Sequence, residues 1–249
     1  MQDDWAPDDA AAAGWTAWPR RPRRLATVVV DELVDRLVGG ELPMGASLPT
    51  EPVLCETFGV SRTVVREAVK ALETMRLVTA QQGQGTRIRP LADWDLLNPT
   101  VLSAVVRHDA DNAILEDLVD VRRALEARMA GQAARNATEQ ERADITARMR
   151  ELDASMDDPM TYLKADVAFH DSIMMASRNR LGRAMIHNLT AEAYRSLRYV
   201  GDPSPEHIRL TNQAHQEVHD AVLSGDEEAA SRAMDEHIIE SWERRRRTR

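Results

Sequence analysis

Asp166 and His170 stand four residues apart in a stretch of helical periodicity, which places a carboxylate and an imidazole on one helix face. His215 and His237 fall on two later predicted helices. Three imidazoles and a carboxylate can hold a divalent transition metal while leaving coordination positions open. Spacing alone keeps another reading open, because isolated helical histidines are commonly ordinary surface or core residues. His219, one turn after His215, competes as a ligand.

A second constellation runs from Leu48 to Arg89. Thr50 is placed to cap a short helix opened by Glu51 and Pro52, both favourable in a first turn, and ending near Phe58. Gly59, Val60 and Ser61 then make a tight turn, with Ser61 as the next cap. Val65, Ala68, Val69, Leu72 and Met75 recur at helical spacing and are expected to face a core, while Arg62, Thr63, Arg66 and Lys70 project elsewhere. Two helices joined this way, with donors crowded at the start of the second, suit a DNA major groove. Val78 and Ala80 alternate with polar residues, and Gly83-Gln84-Gly85 permits a hairpin turn before Thr86–Arg89 returns. Such a wing can lay Gln82 and the Gly83 backbone against a phosphate or into a minor groove. Periodicity also admits a helix pair and hairpin that serve only as a packing unit.

The elements that must position these residues follow from composition. The 249 residues suffice for two modest domains, and low aromatic content with abundant Ala, Leu, Val, Arg and Glu favours helix. Residues 1–23 are rich in Ala, Asp and Pro and read as a disordered arm. Residues 24–90 read as the DNA-reading domain, opened by a helix whose stripe of Val28, Val29, Leu33 and Leu37 ends at Gly39-Gly40. Residues 91–109 read as a linker with apolar anchors such as Trp94, Leu96 and Leu97. Residues 110–243 read as about six amphipathic helices, and 244–249 as a basic tail whose Arg244–Arg247 run suits a solvated helix end. The expected fold is therefore mainly α: three helices and a small β hairpin, then an all-helical bundle.

The net charge of −9 argues against a nucleic-acid partner until its distribution is read. Residues 20–90 carry eleven Lys and Arg against eight Asp and Glu, leaving −12 for the rest of the chain. A basic segment beside an acidic body is the asymmetry expected when one domain meets phosphate. The lone Cys55, the absence of a secretory signal and the absence of a long apolar run suggest a cytoplasmic protein with no membrane contact.

Leu48-Pro49-Thr50-Glu51, Val60–Ala68 and Gly83-Gln84-Gly85-Thr86 together resemble the winged helix-turn-helix of the GntR family. The resemblance implies that Ser61, Arg62, Thr63, Val64 and Arg66 lie at the groove, with Gln82 and Gly83 at the wing tip. Pro52 stands where some members have a DNA-contacting Arg, so that contact should be absent. Val64 replaces a hydroxyl residue of some members and is expected to meet a thymine methyl. Further on, Val121–Glu126, Asp166–His170, Ser177-Arg178-Asn179, and His215 through Gly225-Asp226 and Met234 to His237 resemble the FadR-type ligand-binding (FCD) domain. Members with all four positions filled bind a metal, often zinc or nickel. That implies Asp166, His170, His215 and His237 as ligands, with zinc first and nickel second. His219 becomes a neighbour, and His108, His187 and His207 ordinary histidines.

Arg122 matches the family's Arg-x-x-Leu-Glu motif and could clamp a carboxylate in bidentate fashion, or serve only a salt bridge within its helix. Asn179 reads as a structural cap, while Tyr194, Arg195 and Arg198 are possible cavity residues. The resemblance implies a homodimeric regulator, commonly a repressor, on a palindromic double-stranded operator, controlled by a small carboxylate effector. Trp94–Pro99 resembles the same stretch in sugar-acid regulators, which points to an aldonate. A metal-dependent hydrolase is the rival from another class, but no HExxH or nucleophile motif is present. In a third reading the C-terminal domain only dimerises.

Overall fold

The computed structural model describes residues 25–83, 85–194 and 204–247. The expected arm at 1–23, Gln84, Arg195, Arg198 and the last two residues lie outside the described residues.

Three helices and a hairpin build the N-terminal unit: α1 (Leu25–Val38), α2 (Glu51–Phe58), α3 (Arg62–Thr74), β1 (Val78–Gln81) and β2 (Gly85–Ile88). The strands pair antiparallel with Val78 opposite Ile88, and both side chains enter the core. That core joins Val29, Val30, Leu33, Val34 and Leu37 of α1 to Leu54, Val65, Ala68 and Leu72. Val28, expected inside, is half exposed, because the buried stripe runs one residue further on through Val30 and Val34. Thr50 occupies the cap position of α2 without a side-chain hydrogen bond, whereas Ser61 accepts from the Val64 amide at the start of α3.

The expected linker is structured. After a short 3-10 turn at Leu91–Asp93, Trp94 is buried and its indole N–H donates to the Arg89 carbonyl. Helix α4 (Pro99–His108) follows, started by Asn98, whose side chain accepts from the Thr100 and Val101 amides. A proline in the first turn opens a helix as readily as it ends one, so Asn98-Pro99 is a start signal. The helix packs on α1 and on α8 (Arg180–Ala193), touching the N-terminal unit and the bundle at once.

The rest is helical: α5 (Ala113–Asn136), α6 (Glu139–Ser155), α7 (Pro159–Ala176), α8, α9 (Pro205–Ser224) and α10 (Glu227–Arg247). These are six helices among the described residues. The most extensive packing is between α5 and α10. Gly131 makes it possible, since a Cβ there would lie 2.7 Å from the Glu227 carbonyl oxygen. Thr138 and Glu141 form a reciprocal capping box at the start of α6. Asn179 caps α8 by accepting from the Gly182 amide. Among the described residues no helix is long and apolar enough to cross a membrane.

Candidate metal centre and nucleic-acid interface

Helix α7 carries Asp166 and His170 on its buried face, as the four-residue spacing requires. Helix α9 contributes His215 and α10 contributes His237, and all four side chains are buried. Nε2 of His170 lies 3.1 Å from Nε2 of His237 and 3.3 Å from Nε2 of His215. Oδ1 of Asp166 lies 3.1 Å from Nε2 of His215. One donor atom from each residue thus falls within 4.8 Å of every other. Donors bound to one ion at about 2.0–2.1 Å stand about 2.9–3.4 Å apart. The observed nitrogen spacings fit that range, and the N3O donor set suits a borderline divalent cation such as zinc or nickel. His219 is not among these residues; its ring meets Thr146 and Asp220 instead.

A surrounding layer orients the imidazoles. Nδ1 of His170 is 2.7 Å from a carboxylate oxygen of Glu126, so Nδ1 carries the proton and Nε2 presents its lone pair. Nδ1 of His215 is 3.2 Å from the Tyr162 hydroxyl, which donates to Asn212, whose amide in turn donates to Asp153. The Tyr194 hydroxyl donates to Asp166 at 3.2 Å. Nδ1 of His237 is buried with no hydrogen-bond partner among the described residues. Neither Glu126, Tyr162 nor Asn212 has a spacing signal toward these histidines. The Arg-x-x-Leu-Glu motif drew attention to Arg122, whereas its closing Glu126 touches His170.

The electrostatics favour a cation. Burial opposes ionisation of Asp166, but the His215 hydrogen bond and the surrounding imidazoles outweigh it and hold the carboxyl far below its usual range. Burial likewise opposes ionisation of Glu126, and the Arg122 charge with the hydrogen bonds from His170 and Arg122 overcomes it, leaving it at about 2. Burial lowers His215 and, more strongly, His237, which disfavours the protonated rings that would repel a cation. A divalent cation would satisfy lone pairs that otherwise face one another in a dry interior.

Arg122 is 4% exposed and its Nε donates to Glu126 at 2.6 Å, the salt bridge within the helix that its spacing allowed. It also lines a small cavity with His170, Asp171, Thr190 and Tyr194. A second cavity opens beside Asp166, lined by Tyr162, Tyr194, His207, Arg244 and Arg245 among others. Arg244 and Arg245 are therefore only half solvated, and the expectation of a solvated end describes Arg246, which is exposed and paired with Glu116. A larger cavity, of about 570 Å³, lies elsewhere, at the α7–α8 turn. It misses the Asp166, His170, His215 and His237 cluster, and its Arg178 and Arg183 are engaged by Glu141 and Asp171.

In the N-terminal unit Ser61, Arg62, Thr63 and Arg66 are exposed on α3, and Gln82 and Gly83 at the hairpin turn. Gly83 has φ of 75°, a left-handed conformation suited to glycine. Val64 is half-buried and packs on the core edge. Arg66 donates through Nε to both carboxylate oxygens of Glu51, at 3.0 and 2.9 Å.

Comparison with known proteins separates this helix-turn-helix and wing from a mere packing unit. Residues 25–88 match the gntR family of bacterial regulatory proteins, and residues 117–240 match the FCD domain. The HTH-type transcriptional regulator LutR of Bacillus subtilis is 31% identical over 203 residues, spanning 80% of this chain and 91% of the relative. The chain belongs to the GntR family. This GntR regulator is a DNA-binding transcription factor of the FadR-type group with an FCD domain, and not an enzyme. It is also 28% identical to the galactonate operon transcriptional repressor of Escherichia coli, over 87% of this chain and 94% of that protein. Its fold resembles that of Lar of Listeria monocytogenes, with a TM-score of 0.57 and 18% identity over 92% of this chain and 100% of that one.

Proposed function

We propose that this GntR regulator is a homodimeric repressor whose grip on a palindromic operator is weakened by a small carboxylate effector received at a divalent metal, zinc or nickel, held by Asp166, His170, His215 and His237. The observation that carries the reading is the convergence of three Nε2 atoms and one carboxylate oxygen in a buried site with a polar cavity at its side. A bound cation supplies open positions to an anionic oxygen. Arg244, Arg245 and His207 make the cavity beside Asp166 suitable for an anion, and Arg122 faces the small cavity beside His170. The name of the galactonate repressor supports an aldonate or related sugar acid.

The cavity beside Asp166 measures only about 60 Å³, far below the ~300 Å³ or more of ordinary ligand pockets. Admitting a six-carbon acid therefore requires Tyr194 or the arginines to swing aside. Tyr194 closes α8, and α8 packs on α4, which packs on α1 of the DNA-reading unit. Effector entry can thus bias two arrangements of the recognition helices, provided that the acid binds one arrangement more tightly. At the DNA, Arg62, Thr63 and Arg66 with Ser61 and Val64 enter the major groove, and Gln82 and Gly83 meet backbone or minor groove.

The test is a thermal-shift screen of zinc- or nickel-loaded protein against aldonates, lactate and control amines, followed by operator binding with each hit. A metal-dependent stabilisation by an acid that also releases DNA is expected. Equal stabilisation of chelated protein, or release of DNA without the cation, would sink the proposal.

A further inference from the structure

We infer that Glu51 is a specificity-determining residue of the DNA-reading surface, because it fixes which edge of the Arg66 guanidinium faces the duplex. Glu51 opens α2 and Arg66 lies in the second turn of α3, fifteen positions later. A guanidinium offers two forks to an acceptor pair: the side edge through Nε, and the end edge through its two terminal nitrogens. Both Glu51 oxygens take the Nε–H, at 3.0 and 2.9 Å. Among the described residues neither terminal nitrogen has a hydrogen-bond partner, and the Arg66 side chain is 69% exposed. The end fork is therefore presented to solvent in a fixed attitude, the geometry that a guanine O6/N7 pair demands. Rotamer freedom that an exposed arginine ordinarily loses on docking is already restricted.

Charge gives the pair its second effect. An exposed ion pair adds little to folding. A carboxylate on a phosphate-facing surface, however, lowers attraction to any duplex, whatever its sequence. Glu51 thereby suppresses binding that lacks the guanine contact, while the Arg66 end fork rewards binding that has it. Pro52 adjoins Glu51 and supplies no donor, so Arg66 is the arginine that meets this carboxylate.

The inference rests on the groove-facing reading of α3, and the experiment separates the two. The zinc-loaded protein selects a duplex from a random-sequence pool. Its affinity for that duplex and for a scrambled one is then measured by fluorescence anisotropy across salt concentrations, for wild type, Glu51→Gln, Arg66→Ala and the double variant. Glu51→Gln should bind scrambled DNA several-fold more tightly, steepen the salt slope by about one unit, and lower the selected-to-scrambled ratio about tenfold. The double variant should match Arg66→Ala in that ratio. Uniform weakening of both duplexes by Glu51→Gln, with an unchanged slope, marks a helix-start role only and overturns the inference. Unchanged selectivity of Arg66→Ala overturns the groove-facing reading of Arg66 itself. Selectivity lost in Arg66→Ala but kept in Glu51→Gln overturns the role of Glu51 alone.

Discussion

A carboxylate oxygen of Glu126 lies 2.7 Å from Nδ1 of His170, so a buried acid on α5 holds the ring of a candidate ligand on α7. The same carboxylate accepts from Arg122, which keeps it ionised without any contact to solvent. Glu126→Gln should lower metal affinity about 10- to 100-fold, the usual effect of losing such an orienting partner. Competition of the purified protein with a chromophoric chelator measures this, and affinity equal to wild type would show that His170 needs no help from Glu126.

If the cluster holds a cation, its removal should destabilise the bundle. At a hundredfold excess of metal over Kd the stabilisation is about 2.7 kcal/mol, equivalent to a shift of about 5–10 °C for a chain of this size. Scanning calorimetry before and after EDTA should show it. His237→Ala should abolish the metal-dependent part of Tm whatever it does to the chelated protein. A response surviving in His237→Ala would remove His237 from the ligand set.

Glu141 joins the α6 capping box to Arg178 at the end of α7. The Arg178 hydrogen bond, followed by the Thr138 amide, holds its carboxyl at about 2 against the ordinary 4.5. A carboxyl depressed by folding contributes stability that is fully present above the unfolded pKa. That contribution is lost as pH falls from about 4.5 toward about 2. Because Arg178 is half exposed, solvent screening reduces the effect to about 1 kcal/mol. Urea titrations of Glu141→Gln should give a stability deficit of that size at pH 7 that shrinks at pH 3. A deficit independent of pH would assign Glu141 a packing role.

Replacing a mid-helix glycine by alanine ordinarily stabilises a helix by about 0.5–1 kcal/mol. Gly131→Ala should do the opposite here, because its Cβ would meet the Glu227 backbone carbonyl at 2.7 Å. Overpacking of this kind costs about 1–3 kcal/mol. Since α5 carries Glu126 and α10 carries His237, the same change should weaken metal binding as well. A gain in urea midpoint for Gly131→Ala would show that α5 and α10 part without cost.

The DNA-reading unit was legible almost residue by residue, because short helices, a tight turn and a hairpin are set by nearby residues. Ser61 as a cap, the core face of Val65, Ala68 and Leu72, and the exposed arginines all follow from local spacing. So does the shared face of Asp166 and His170. Local rules read 91–109 as a linker, whereas Asn98-Pro99 starts α4, which packs on both α1 and α8. They said nothing of distant partners. His215 and His237 become neighbours of His170 because α9 and α10 pack on α5, and α9 on α6, the same two helices that hold α7. Glu126, Tyr162 and Tyr194 acquire their roles in the same way. Periodicity specifies which face of a helix is buried, but only the packing of one helix against another decides which polar atoms meet inside, and those meetings make the site.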